Sequence, residues 1–122
     1  MAFLYHIKAD GEAECWPVHD KPVVAGRGEF ADAYVEDDAL SRSHFLIIRE
    51  KEEFFVIDLH SSNGTWVRGD LVSALRLESN EIILAGDSLF YFSPMPVTAD
   101  ALPRAVPLPQ RPKVGLSQLS AA

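Results

Sequence analysis

An all-β fold, either a sandwich or a barrel, is what this 122-residue sequence predicts. Three observations carry the prediction. Residues 1–93 hold almost no apolar periodicity of the helical kind. Their apolar residues fall into short runs of strand length, separated by Gly, Pro, Asn, Asp and Ser. Near the middle, the runs Phe45-Leu46-Ile47-Ile48 and Phe54-Phe55-Val56-Ile57 flank a charged turn, Arg49-Glu50-Lys51-Glu52, as the arms of a β-hairpin do.

Taken in order, Phe3, Tyr5 and Ile7 alternate with Leu4, His6 and Lys8 as in a first strand. Glu14 to Val18 reads as a second, turning at His19-Asp20-Lys21-Pro22. Val23-Val24-Ala25 is a third, ending at Gly26-Arg27-Gly28. Tyr34 and Val35 mark a short strand after an acidic loop, and the central hairpin covers roughly residues 45 to 57. Trp66 and Val67 lead through the tight turn Arg68-Gly69-Asp70 to Leu71 and Val72. Ile82-Ile83-Leu84 and Leu89-Phe90-Tyr91-Phe92, joined by Gly86-Asp87, close the series as a last hairpin. No internal repeat is evident.

The 48% hydrophobic content suffices for a packed core, and no window approaches the roughly 18 apolar residues of a membrane span. The N-terminal residues lack a basic stretch leading into an apolar one, so no secretory signal is expected. The single cysteine, Cys15, has no intramolecular partner and is expected as a small buried apolar residue. A cytoplasmic setting follows. The formal charge of −7 argues against affinity for nucleic acid or an anionic membrane surface. Composition changes at Pro94: six of the eight prolines lie in residues 94–122, which contain no aromatic residue. That segment is expected to be a disordered or extended tail, dispensable for folding. Residues 1–93 carry 8 basic and 17 acidic side chains, a net −9, against 3 and 1 in the tail, a net +2.

In the hairpin, Ser41-Arg42-Ser43-His44 precedes the first strand and Ser61-Ser62-Asn63-Gly64-Thr65 follows the second. Antiparallel pairing makes those two segments neighbours at the open end, so Ser41 and His44 should lie near Ser62 and Asn63. A cluster of hydroxyls and amides on loops at one end of a β-scaffold suits a binding site. Arg27, between two glycines where a strand gives way to a loop, can offer its planar fork to a phosphate or carboxylate. The plain alternative for Arg27 is a surface ion pair with Glu29, Asp32 or Glu36.

Gly26-Arg27, Ser41-Arg42-Ser43-His44 and Ser62-Asn63-Gly64-Thr65 occur in that order, Ser41 lying fourteen positions after Arg27 and Asn63 nineteen positions after His44. Together they resemble the forkhead-associated (FHA) domain, a phosphothreonine-peptide binding module, and the segment 81–92 looks like that family's last hairpin. The resemblance covers about residues 3 to 93. It implies an FHA-type β-sandwich of about eleven short, mostly antiparallel strands over residues 1–93, with a disordered Pro-rich tail at 94–122. It further implies that Arg27 contacts the phosphate and that the Ser41 hydroxyl donates to a phosphate oxygen. Arg42 is implied as a further phosphate contact, Ser62 as a wall of the pocket for the threonine methyl, and Asn63 as a hydrogen-bonding anchor for the peptide main chain. Gly26 and Gly64 would serve backbone geometry, and His44 would pin two loops together through its two ring nitrogens. Arg68 stands where the family often has Asn and is a possible peptide contact.

The function implied is a phosphothreonine-dependent protein–protein interaction module in a signalling or assembly pathway, with no enzymatic activity, cofactor or metal. Its expected partner is a threonine-phosphorylated protein or peptide, and the resting chain is expected to be a monomer. A phospho-independent FHA-like scaffold is the serious alternative. A hydrolase is disfavoured because Ser41, His44 and Asp58 lack a glycine elbow or a glycine-rich oxyanion segment. His6, His19, His44, His60 and Cys15 lack metal-ligand spacing. Arg68-Gly69-Asp70 is read as turn chemistry and Pro109-Gln110-Arg111-Pro112 as linker. Thr98 is the one threonine outside the site's own turn, and its phosphorylation would allow head-to-tail self-association.

Overall fold

The computed structural model describes residues 2–103. Among them are eleven strands and no α-helix. One sheet has six strands: β1 (Ala2–Ile7), β2 (Ala13–Val18), β7 (Thr65–Val67), β8 (Asp70–Val72), β10 (Glu81–Ala85) and β11 (Ser88–Ser93). Their spatial order is β2-β1-β11-β10-β7-β8. The other has β3 (Val23–Gly26), β4 (Ala33–Tyr34), β5 (Phe45–Glu50), β6 (Glu53–Asp58) and β9 (Ala74–Leu77), ordered β4-β3-β5-β6-β9. β3 and β4 pair in parallel and the other strand pairs are antiparallel. This is the expected all-β sandwich. Among these residues no helix is long and apolar enough to cross a membrane.

The two sheets meet through alternate side chains, as the two-residue period of a strand dictates. Leu4, Ala25, Phe45, Ile47, Val56, Ile83, Phe90 and Phe92 fill the interior. Phe45 meets Phe90 edge to face at 5.1 Å, and Phe54 meets Phe92 at 5.0 Å, bridging the sheets in the geometry aromatic quadrupoles favour.

β11 departs from simple alternation, being buried at all of its positions. On its outer side Leu89 and Tyr91 join Tyr5 and Ile7 in a second apolar cluster, against which Val97 and Leu102 pack. The Val97 N–H donates to the Tyr5 hydroxyl at 3.1 Å, and a 3-10 turn spans Ala99–Ala101. The first part of the segment expected as a tail thus runs as a strap over the six-stranded sheet, with Thr98 exposed on it. Residues 104–122 of that segment lie outside the described residues. Cys15 also differs from expectation: it is exposed, on the edge strand β2.

Register brings one end of both sheets together. Phe45 pairs with Asp58 and with Ala25, and Thr65 pairs with Ala85. The loops leaving β3, entering β5, leaving β6 and joining β10 to β11 therefore share that end. The Phe3–Ser93 pair, like the turns at 19–22 and 51–52, marks the other.

Candidate functional site

The loop end is held by hydrogen bonds between segments far apart in sequence. Arg27 N–H donates to the Ser41 carbonyl at 3.1 Å, and Gly28 N–H to the Arg42 carbonyl at 3.0 Å, zipping two loops edge to edge. Gly26 is required there, since a Cβ on it would lie 2.1 Å from the Arg42 carbonyl oxygen. The Ser41 N–H donates to His44 Nδ1 at 3.0 Å, and His44 Nε2 lies 2.8 Å from the Gly64 carbonyl. One neutral tautomer, protonated at Nε2, satisfies both contacts. Burial pushes the His44 pKa below its ordinary value, outweighing the Gly64 carbonyl and the charges of Asp58 and Asp37, which pull it up. His44 is fully buried and is the bolt between the 41–44 and 61–64 loops.

Around that bolt, Ser41 Oγ accepts the Ser62 N–H at 3.0 Å, which leaves the Ser41 hydroxyl proton free to point outward. The Asn63 side-chain amide donates to the Ala39 carbonyl at 2.8 Å. Gly64 has φ of +85°, and a Cβ there would meet Leu71 Cδ1 at 2.4 Å. Ser41, His44, Ser62 and Asn63 are thus one bonded unit, and Arg27 reaches it by donating Nε–H to the Leu40 carbonyl at 2.7 Å. That bond uses one edge of the guanidinium and leaves its terminal nitrogens available.

Arg27 and Arg42 share a second property. Among the described residues neither forms an ion pair, although the chain carries a net charge of −7. The alternative partners are not available: Asp32 accepts the Val24 N–H, and Glu29 and Glu36 form no bridge to Arg27. Both arginines line a 520 Å³ cavity with Gly28, Glu29, Phe30, Ala31 and Ser43.

Arg68 behaves oppositely. Its guanidinium bonds both carboxylate oxygens of Glu81, which also accepts the Glu78 N–H at 3.2 Å. Hydrogen bonding to Glu81 raises the Arg68 pKa. Burial alone would raise Glu81, but the hydrogen bonds from Arg68 and Glu78 and the Arg68 charge outweigh it and lower the carboxyl. The pair lies where β7 leaves Thr65 behind and β10 begins, away from the bonded unit of Ser41 and Asn63. Arg68, expected as a possible peptide contact, thus has its guanidinium engaged by Glu81.

Several supporting residues were not singled out from the sequence. Asp58 accepts the Ser61 hydroxyl at 2.5 Å, the Ser61 N–H at 3.1 Å and the Thr65 hydroxyl at 2.7 Å, shaping the 58–65 loop. Asp37 accepts the Ala39 N–H at 2.8 Å, the Asp87 N–H at 2.9 Å and the Ser88 hydroxyl at 2.7 Å. Aspartate two or three residues before the backbone N–H it accepts is a readable signal, so Asp37–Ala39 and Asp58–Ser61 were within reach. The bond from Asp87 across fifty positions was not. These contacts also deny a Ser-His-Asp relay: His44 Nδ1 accepts a backbone N–H, and Asp58 is occupied by Ser61 and Thr65. Among the described residues no three metal-ligating side chains converge.

Fold and loop end together define a β-sandwich that presents a rigid polar surface at one pole, the build of a recognition module. The family model of the FHA domain matches residues 23–86, and the chain belongs to that family. It is 29% identical over 79 residues to the FHA domain-containing protein FhaA of Mycobacterium tuberculosis, covering 65% of this chain and 15% of that protein's length. A crystal structure of the FhaA FHA domain, complexed with the intracellular domain of a partner protein, has 26% identity and a TM-score of 0.69, covering 75% of this chain and 99% of that one. EmbR of Mycobacterium tuberculosis, in complex with a low affinity phosphopeptide, has 26% identity and a TM-score of 0.71, covering 80% of this chain and 25% of that one.

Proposed function

We propose that this protein is a phosphothreonine-dependent interaction module whose loop end reads a threonine-phosphorylated protein in a cytoplasmic signalling or assembly pathway. The observation that carries the reading is the pair of guanidiniums, Arg27 and Arg42, which have no carboxylate partner among the described residues of an acidic protein and line one cavity. Free cations beside an outward hydroxyl suit a dianion. Each charge-assisted bond contributes about 1.5–3 kcal/mol, and the Ser41 hydroxyl adds a donor whose orientation the Ser62 N–H fixes.

In this reading Arg27 and Arg42 hold phosphate oxygens, Ser41 donates to a third position, and Asn63 takes the peptide main chain. Ser62 borders the threonine methyl. Gly26, His44 and Gly64 act by positioning these groups. The module extends through β11, with residues 94–122 as an appendage whose first part is docked on the sheet. The resting form is a monomer, and phosphorylation of the exposed Thr98 would present one copy's appendage to the next copy's loops.

Titration calorimetry with a phosphothreonine peptide, its unphosphorylated form and the Arg27→Ala variant tests the reading. Binding of the phosphopeptide alone, lost on substitution, supports it. A partner bound equally well after phosphatase treatment would make the protein a phospho-independent scaffold instead.

A further inference from the structure

Phe30 is the most exposed large apolar residue described, at 91% of its surface. A single exposed apolar side chain on an open surface carries no meaning. Phe30 differs because it stands on a wall of the 520 Å³ cavity that Arg27 and Arg42 also line. Nor is it exposed through slackness of its loop. The turn carrying it is closed by the Ala31 N–H donating to the Gly28 carbonyl at 3.1 Å, and tied to its neighbour by Gly28 N–H to the Arg42 carbonyl. A Cβ on Gly28 would lie 3.0 Å from both Arg42 Cβ and its carbonyl oxygen, so the two loops are in backbone contact. Asp32, just beyond the turn, is fixed by the Val24 N–H. An aromatic ring held in water on a rigid support, beside two free cations, is pre-organised for contact rather than for folding.

The geometry points to a subsite in which Phe30 receives an apolar side chain, branched aliphatic or aromatic, of the same peptide whose phosphothreonine occupies the Arg27 site. The inference rests on the phosphothreonine reading and assigns a specificity-determining residue to it. Continuity decides the occupant: Arg27 lines this cavity and bonds through its Nε–H to the carbonyl of Leu40, next to Ser41, so a peptide held by its phosphate at Arg27 and Ser41 passes along this wall. Phe30 and Ala31 supply apolar surface, the arginine stems extend it, and Gly28 leaves space between them. A second phosphate is the other conceivable occupant. Glu29 lines the same cavity and the first phosphate already draws on the Arg27 and Arg42 charges, which disfavours a second dianion there.

Phosphothreonine peptides in which one flanking position at a time is Ala, Leu, Phe or phosphoserine, titrated into the whole chain, test the inference. At one position the wild-type protein should prefer Leu or Phe over Ala by roughly tenfold. Phe30→Ala should reduce that ratio to about one while binding stays phosphate-dependent, and Phe30→Leu should keep most of it. Because Phe30 makes no core contact, melting curves of both variants should match the wild type. Flat selectivity in the wild type, a ratio unchanged in Phe30→Ala, or a preference for the second phosphate overturns the subsite and leaves the phosphothreonine reading standing. Failure of every phosphopeptide to bind overturns both.

Discussion

Arg27 and Arg68 both stand at the ends of short strands, yet the protein treats them in opposite ways. Arg68 is closed off by three hydrogen bonds to Glu81, a carboxylate itself anchored by the Glu78 N–H. Arg27 gives one nitrogen to a backbone carbonyl and forms no ion pair with a carboxylate among the described residues. With acidic side chains outnumbering basic ones 18 to 11, pairing is the easy outcome for an arginine. The difference teaches that the informative cation is the one the fold positions without neutralising. Position along the sequence did not separate the two, because each sits beside glycine in a turn.

The strongest way to break this contrast is Arg27→Ala. Phosphopeptide affinity should fall by about 2–3 kcal/mol or more, since a charged donor is lost, while stability falls by only about 1 kcal/mol with the Leu40 bond. Calorimetry paired with a melting curve separates the two readouts. Unchanged affinity would remove the functional distinction altogether.

Replacing phosphothreonine by phosphoserine in a matched peptide sharpens the loop end further. If Ser62 and Asn63 border a methyl pocket, binding should weaken by roughly 1–2 kcal/mol. Equal affinities, measured by competition, would show that the phosphate alone is read.

Glu81→Gln tests the other arginine. Charge assistance is lost while shape is kept, so the melting temperature should drop by roughly a few degrees and phosphopeptide affinity should hold. A variant that lost affinity with stability intact would return Arg68 to the binding surface.

Acid should dismantle the two ends in sequence. The folded pKa of His44 lies below its ordinary 6.5, so its contribution is intact above that value and is lost as pH falls through the depressed one. Protonation turns Nδ1 into a donor facing the Ser41 N–H, loosening the 41–44 loop first. Glu81 is lowered from 4.5, so its contribution begins to fall only below that value, whereas that of His44 begins to fall below 6.5. Stability measured against pH for the wild type and for Glu81→Gln, without ligand, should fall alike between those two values and diverge only below the second. Divergence already near neutral pH would mean that the ends are not independent.

How much of this the sequence carried depended on the range of the interaction. The hairpin from Phe45 to Asp58 was legible because apolar runs and a charged turn are local, and its pairing put Ser41 beside Ser62. β9 was not, because Ala74-Leu75-Arg76-Leu77 is too short to show a period and its partner, β6, selects it. The strap was missed for a related reason: Val97 and Leu102 are isolated apolar residues among prolines, and only the outer face made by Tyr5 and Tyr91 gives them a place to pack. At the site, the motifs marked Arg27, Ser41 and Asn63. The guanidinium's freedom from Glu29 and Asp32, and the commitment of Arg68 to Glu81, depended on distances in three dimensions.

The pairing of Phe3 with Ser93 has a consequence for how the protein can be joined to others. The first and last strands lie side by side, and the ends they share are at the pole opposite the loops. A polypeptide attached before β1 leaves the reading surface uncovered, and with β1 and β11 side by side the sandwich can be inserted into a longer chain as a bead on a nearly closed loop. Such a bead can turn on its two adjacent tethers and search for a ligand without dragging its neighbours apart. Its effective reach is set by the linkers rather than by the fold.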